Sequence, residues 1–160
     1  MKYFSIPIII VFIDQLSKIL VKNYWLENNL YYTKIPILGN FLRFTFIENP
    51  GIAFGIDTSR FHIYITLITC IAILFIVYYL YELVQSHSNE AICWSFILGG
   101  AVGNCLDRIF VLIPSLGYEG VVDFIDIGIN QYRWYIFNVA DGAITIGIII
   151  YFYQIYLKKI

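Results

Sequence analysis

Residues 61–80 run for twenty positions without an Asp, Glu, Lys or Arg. About 20 predominantly apolar residues are what an α-helix needs to cross roughly 30 Å of hydrocarbon. Three further stretches reach comparable length. Residues 4–21 are interrupted by Asp14 and Lys18, and residues 91–113 contain Asp107 and Arg108 and stop at Pro114. Residues 136–157 carry Asp141 near their start and are followed by Lys158 and Lys159. Of the 160 residues, 60% are apolar types and 13% are charged, against about 45–50% and about 25% in soluble domains. One small core cannot absorb that excess. The expected fold is an all-α integral membrane protein with four transmembrane helices. Repeats, low-complexity tracts and Ser/Pro-rich linkers are absent, so residues 1–160 read as one membrane-embedded domain.

The same numbers exclude other classes. Such apolarity is incompatible with intrinsic disorder, and a net charge of −1 offers no electrostatic footprint for nucleic acid. Cys70, Cys93 and Cys105 lie in or beside apolar runs without a CxxC or a His/Cys cluster, which argues against a disulfide framework or a zinc site. The first apolar stretch superficially resembles a signal peptide. Asp14 and Lys18 inside it, and the lack of a small-x-small cleavage site, mark it as a retained span.

The connections differ in length. About forty residues separate the first two apolar runs. Within them Leu42, Phe44 and Phe46 alternate with Arg43, Thr45 and Ile47, the period of a half-buried strand, punctuated by Pro36, Gly39, Pro50, Gly51 and Gly55. A small sheet resting on the membrane surface is expected. Residues 81–90 form a short polar connection, and 114–135 a long one rich in Gly and aromatics. Tyr24-Trp25, Tyr31-Tyr32 and Trp134-Tyr135 read as interfacial belt residues. Positive charge flanks the termini and also populates the first long loop, so charge counting does not set the orientation.

Four spans would put both long connections on one side of the membrane. Asp14, Asn104, Asp107, Arg108, Asp123 and Asp141 would then gather toward that side. Ionisable side chains inside a membrane cost about 2.5–3.5 kcal/mol each near its centre unless they pair or meet water. Pairing is the plain explanation for some of them: Asp14 and Lys18 are i,i+4 on one helix in the favourable order, and Arg108 can reach a carboxylate on a neighbour. Asp123 and Asp141 have no basic residue three or four positions away. Gly99 and Gly103 form a small-xxx-small face for close helix packing. Asn104 and Asp107, like Asn138 and Asp141, are i,i+3 and share a helix face.

Nucleophilic and zinc hydrolase patterns are missing: there is no GxSxG, no Ser–His or Cys–His pair and no HExxH. Two carboxyl groups sharing a site need neither metal nor covalent intermediate. They cannot both ionise, so one proton is held between them. The ionised member then takes a proton from attacking water while the protonated member hydrogen-bonds the scissile carbonyl. Asp123 and Asp141 form such a pair if the long connection folds back.

Five ordered blocks carry a resemblance: Asp14-Gln15-Leu16-Ser17-Lys18; Asn49-Pro50-Gly51-Ile52-Ala53-Phe54-Gly55; residues 99–108, GGAVGNCLDR; Val121-Val122-Asp123-Phe124; and Phe137-Asn138-Val139-Ala140-Asp141. Together they resemble the bacterial lipoprotein signal peptidases (signal peptidase II) over nearly the whole chain. The resemblance implies a four-helix membrane aspartic endopeptidase without metal or cofactor. Its small sheet would lie at the extracytoplasmic surface, and both termini would be cytoplasmic in the inner membrane. It would be a monomer in contact with membrane lipid that cleaves lipid-modified prolipoproteins just before the diacylglyceryl-modified cysteine. Carried over by residue, Asp123 and Asp141 are the catalytic pair. Asp14, Lys18, Asn49, Gly51, Asn104, Asp107, Arg108, Asn138 and Ala140 match supporting positions. Gly142 stands where the family commonly has Ser, and the stretch between Arg108 and Val121 is longer than the family's pattern.

Two non-enzymatic readings compete. A conducting bundle would carry polar residues through its full depth, whereas residues 61–80 are uncharged and the ionisable groups crowd to one side. An accessory subunit could use Asp–Arg pairs to dock a partner helix.

Overall fold

The computed structural model describes residues 2–30, 33–50 and 61–157. In chain order the elements are α1 (Lys2–Glu27), β1 (Lys34–Leu38), β2 (Leu42–Asn49), α2 (His62–Gln85), α3 (Ala91–Val111), a 3-10 turn at Pro114–Leu116, β3 (Val121–Ile129), β4 (Tyr132–Arg133) and α4 (Val139–Leu157). The chain forms two compact units. One comprises residues 1–14, 63–106 and 139–160, the other residues 15–62 and 107–138. Helices α1 and α3 each contribute to both, so no linker separates them in sequence.

The first unit is helical. Leu80, Leu83, Ala91 and Leu98 form its buried cluster, with Tyr3, Ile73, Ile76 and Trp94 packed around them. The glycines of α3 let other backbones approach. A Cβ on Gly99 would lie 2.8 Å from the Ile10 side chain, and one on Gly100 would run into the Ala140 carbonyl. On Gly103 it would lie 2.6 Å from Asp14 Oδ2. The small-residue face is thus a packing face toward α1 and α4. Outward, Ile68, Ile71, Leu74, Phe75 and Tyr78 of α2 are exposed, an apolar surface far larger than a water-soluble monomer tolerates.

Helices α1 (Tyr3–Glu27), α2 and α4 (Val139–Tyr156) are long and apolar enough to cross a membrane. With 21 residues, α3 has the length as well. It falls short in apolarity because Asn104, Asp107 and Arg108 sit in its last two turns, and much of the helix is buried within the protein. The four-span expectation is met by three helices on these grounds.

The second unit is built on an antiparallel sheet ordered β1-β2-β3-β4. The alternating segment 42–47 does form a strand, but its alternation breaks. The register slips by one residue between Phe44 and Ile47, so Thr45 is buried while Ile47 is exposed. Such a bulge resets which face later residues occupy and brings Ile47 opposite Asp123. Strand β3 is buried along Val121–Phe124, with Phe44 and Phe124 meeting edge to face. Gly39 and Asn130 adopt left-handed φ in the two hairpin turns. Trp25, expected at the interface, is instead buried at 3% exposure, whereas Tyr24, Trp134 and Tyr135 are exposed. Tyr31-Tyr32 and Gly51–Gly55 lie outside the described residues.

Candidate active site

In the second unit Asp123 sits on β3 at 5% exposure. Two asparagine amides hold it: Asn138 Nδ2 donates to Oδ1 at 2.6 Å and Asn49 Nδ2 to Oδ2 at 3.2 Å. Asn138 is fully buried and also donates to the Val122 carbonyl at 3.3 Å. Its neighbour Phe137 bonds the β3 backbone at Phe124 and Ile125. That pairing explains why α4 begins at Val139 and not at 136.

The start of β3 is anchored from α3 and α1. Asp107, fully buried, accepts the Val122 backbone N–H at 3.1 Å through Oδ2. The same oxygen takes the Lys18 ammonium at 2.9 Å, and Oδ1 takes Gln15 Nε2 at 2.9 Å. Lys18 and Asp107 are each only 1% exposed along their side chains. An ion pair so buried is tolerated only when its remaining hydrogen-bonding capacity is met, and Val122 and Gln15 meet that of Asp107. Lys18 thereby has a partner that the i,i+4 reading along α1 did not supply. Arg108 lies in the last turn of α3, half-buried.

In the first unit Asp141 occupies the first turn of α4. Asn104 Nδ2 donates to its Oδ1 at 2.8 Å, and its backbone carbonyl accepts the Thr145 hydroxyl at 2.8 Å. Asp14, fully buried, accepts the Ala140 backbone N–H at 2.8 Å. The opening turn of a helix leaves backbone N–H groups without intrahelical partners, and a carboxylate from α1 satisfies one here. Ala140, fully buried, has the small side chain this approach requires.

Sequence reasoning missed several participants. Asp126, 4% exposed, binds Arg133 Nη2 at 2.7 Å and Nε at 2.8 Å, and takes the Thr45 hydroxyl at 3.4 Å. The Asp126–Arg133 separation of seven residues becomes a signal only once the β3–β4 hairpin is known. Gln15 and Lys22 carry no local signal for a similar reason, since their partners lie on distant segments. Gly51 lies outside the described residues. Among the described residues, no group of three or more His, Cys, Asp or Glu side chains is arranged to hold a metal ion.

The family profile described as Signal peptidase (SPase) II matches residues 6–157. The lipoprotein signal peptidase of Moorella thermoacetica is 32% identical over 157 residues, covering 98% of this chain and 94% of that protein. Two solved structures described as a bacterial membrane enzyme, determined by the in meso method, are each 28% identical to the chain. The one at 2.3 Å resolution has a TM-score of 0.72 over 99% of this chain and 89% of its own. The one at 1.9 Å has a TM-score of 0.73 over 96% and 92%. A match spanning nearly every residue, with both aspartates inside it, is carried by sequence and by fold alike, and the chain belongs to the signal peptidase II family.

Proposed function

We propose that Asp123 and Asp141 are the catalytic carboxyl pair with which this aspartic peptidase removes signal peptides from prolipoproteins, cleaving before the diacylglyceryl-modified cysteine. One observation carries the assignment. Asparagine amides hold both carboxylates: Asn49 and Asn138 donate to Asp123, and Asn104 donates to Asp141. Each carboxyl group is thereby fixed in position by donors from other segments. Two carboxyl groups that share one proton titrate as a unit.

In the reaction the ionised carboxylate takes a proton from the attacking water. The protonated one donates a hydrogen bond to the carbonyl oxygen as it gains charge. Asn138, which holds Asp123, precedes Asp141 by three residues, so one short segment carries both a support of the first aspartate and the second aspartate itself. Asp14 fixes the backbone of that segment through the Ala140 N–H.

The substrate's apolar signal segment enters laterally from the bilayer. Its backbone must be extended near the scissile bond, and each freed polar group costs several kcal/mol if unsatisfied in hydrocarbon. Gly51 and Arg108 match family positions suited to that contact. We place α3 as a fourth span, both termini in the cytoplasm, the sheet and dyad at the extracytoplasmic face of a bacterial inner membrane, and the protein as a monomer.

Cleavage of a diacylglyceryl-modified prolipoprotein by purified protein in detergent tests the chemistry. Asp123→Asn and Asp141→Asn should each abolish turnover in folded protein, and wild-type activity should survive a chelator. Near-wild-type turnover in either variant, or strict dependence on added metal, refutes the dyad.

A further inference from the structure

Lys22 lies near the end of α1 and is 7% exposed. Its ammonium is 2.5 Å from Glu48 Oε1 and 2.6 Å from the Gly117 carbonyl, and it stands 3.7 Å above the centre of the Tyr118 ring. Tyr118 in turn leans on Phe110 at 5.3 Å. Burial pushes the Tyr118 phenol up from its ordinary value, and the nearby Asp107 and Glu48 carboxylates add to that. The ring is therefore a neutral face for the ammonium, and cation–π attraction strengthens where water is excluded.

These contacts join two segments that flank Asp123. Glu48 immediately precedes Asn49, whose amide donates to Asp123. Gly117 and Tyr118 belong to the long stretch that leads into β3. At Gly120 that stretch presses against the Asn49 backbone so closely that a Cβ would lie 2.7 Å from Pro50 N. Gln15, Lys18 and Lys22 fall at i, i+3 and i+7 on α1, one helical face. Gln15 and Lys18 hold Asp107, which fixes Val122; Lys22 holds the strand end and the turn opposite.

We infer that Lys22 is a positioning residue for Asp123, acting through Glu48-Asn49 and the Gly117–Gly120 segment without touching substrate. The inference rests on Asp123 being catalytic. It gives the long stretch after Arg108 a purpose: its 3-10 turn ends at Gly117, whose left-handed φ of 64° is a conformation glycine adopts without strain, and whose carbonyl meets the ammonium.

Lys22→Met alone would bury the Glu48 carboxylate without its counter-charge and threatens folding. The Lys22→Met/Glu48→Met double variant removes both charges and keeps the volume apolar. With a lipid-modified prolipoprotein in detergent, it should fold and lose kcat by on the order of 10²-fold at nearly unchanged KM, the loss expected from a slightly misplaced group. Lys22→Arg, which keeps charge and donors, should retain most of kcat. In an Asn49→Ala background the double variant should lose far less than in wild type, because residues acting through one path are not additive.

Wild-type kcat in the double variant, or the same fold-loss in both backgrounds, overturns the inference. So does a raised KM at unchanged kcat, which would make Lys22 a contact for substrate or lipid headgroup. Asp123→Asn assayed in parallel separates the two claims. Activity in Asp123→Asn refutes the dyad, whereas an inactive Asp123→Asn beside a fully active double variant refutes only the role of Lys22.

Discussion

Gly103 offers a sharp test of how Asp14 is held. A Cβ at this position would lie 2.6 Å from Asp14 Oδ2, 3.1 Å from its Cγ and 3.2 Å from Ala140 Cβ. Ordinary contact begins near 3.4 Å, so in Gly103→Ala the Asp14 carboxylate must retreat by about 0.8 Å. Its Oδ1 accepts the Ala140 N–H at 2.8 Å, and the same displacement along that bond would take it past useful hydrogen-bond length. A hydrogen bond to a charged group contributes about 1.5–3 kcal/mol, and overpacking adds about 1–3 kcal/mol. The better helix propensity of alanine returns about 1 kcal/mol. The net expectation is a loss of about 2–5 kcal/mol, a fall in Tm on the order of 10 °C for a chain of this size.

Gly142 is the control. It lies in α4 beside Asp141, and a Cβ there meets nothing within 4 Å. Gly142→Ala should leave Tm unchanged or raise it slightly, by the propensity gain of up to about 1 kcal/mol. Thermal unfolding of both variants in one detergent, followed by tryptophan fluorescence, makes the comparison. A Gly103→Ala protein melting within about 2 °C of wild type, by the same conversion, would refute the close approach of Asp14 to α3. Equal destabilisation by both substitutions would show that helical glycine itself was the cause.

Asp107→Asn removes the ion-pair partner of a buried lysine and should destabilise by about 3–5 kcal/mol in chemical denaturation; a loss below about 1 kcal/mol, the scale of an exposed pair, would show that the Lys18 pair is not desolvated. Cys70 and Cys105 are thiols whose sulfurs lie 3.6 Å apart. A membrane-permeant aromatic disulfide should couple them by thiol–disulfide exchange, releasing two equivalents of arylthiol. An intramolecular 70–105 cross-link in the mass spectrum confirms the α2–α3 register, and its absence refutes it. Because the Tyr118 phenol is raised above its usual 10.0, folded protein keeps that proton longer than unfolded protein does. The stability it contributes is complete below pH 10 and fades as pH climbs through the raised value, so Tyr118→Phe should flatten the alkaline limb of stability against pH. Single cysteines at Ser88 and Gln131 report orientation: external reagent should label position 131 and spare 88, and the reverse inverts the proposed topology.

The four helices were legible because apolar run length is a local signal, and their ends show where locality fails. Nothing in residues 136–138 distinguishes the start of a helix from the partner of a strand, yet Phe137 pairs with β3. Strand β2 announced itself by alternation over Leu42–Ile47, but its bulge did not, since the extra residue is defined only against β3. Strand β3 does not stand out from the long connection that contains it. It is buried over Val121–Phe124, and a strand covered on both faces shows no alternation to detect. The apolarity of α3 signals a span in sequence, whereas its polar last turns supply the Asp107 contact to β3 and the Asn104 contact to Asp141.

The carboxylates illustrate the same limit more sharply. Rules for i,i+3 and i,i+4 pairs reach only along one helix, and they singled out Asp123 and Asp141 by the absence of a local cation. Asp126 and Glu48 look no different by that test. What separates them is supplied by the fold, across the β3–β4 hairpin for Asp126 and from far along the chain for the others. Glu48 is met by Lys22 across 26 residues, and Asp107 takes Gln15 and Lys18 across about ninety. Asp123 receives Asn49 across 74 residues, and Asp141 receives Asn104 across 37. A carboxylate reads the same in sequence in each case, and only tertiary structure decides which side chain reaches it: a lysine at Glu48 and Asp107, an asparagine amide at Asp123 and Asp141. Rules confined to one helix cannot see partners that the fold brings in from other segments.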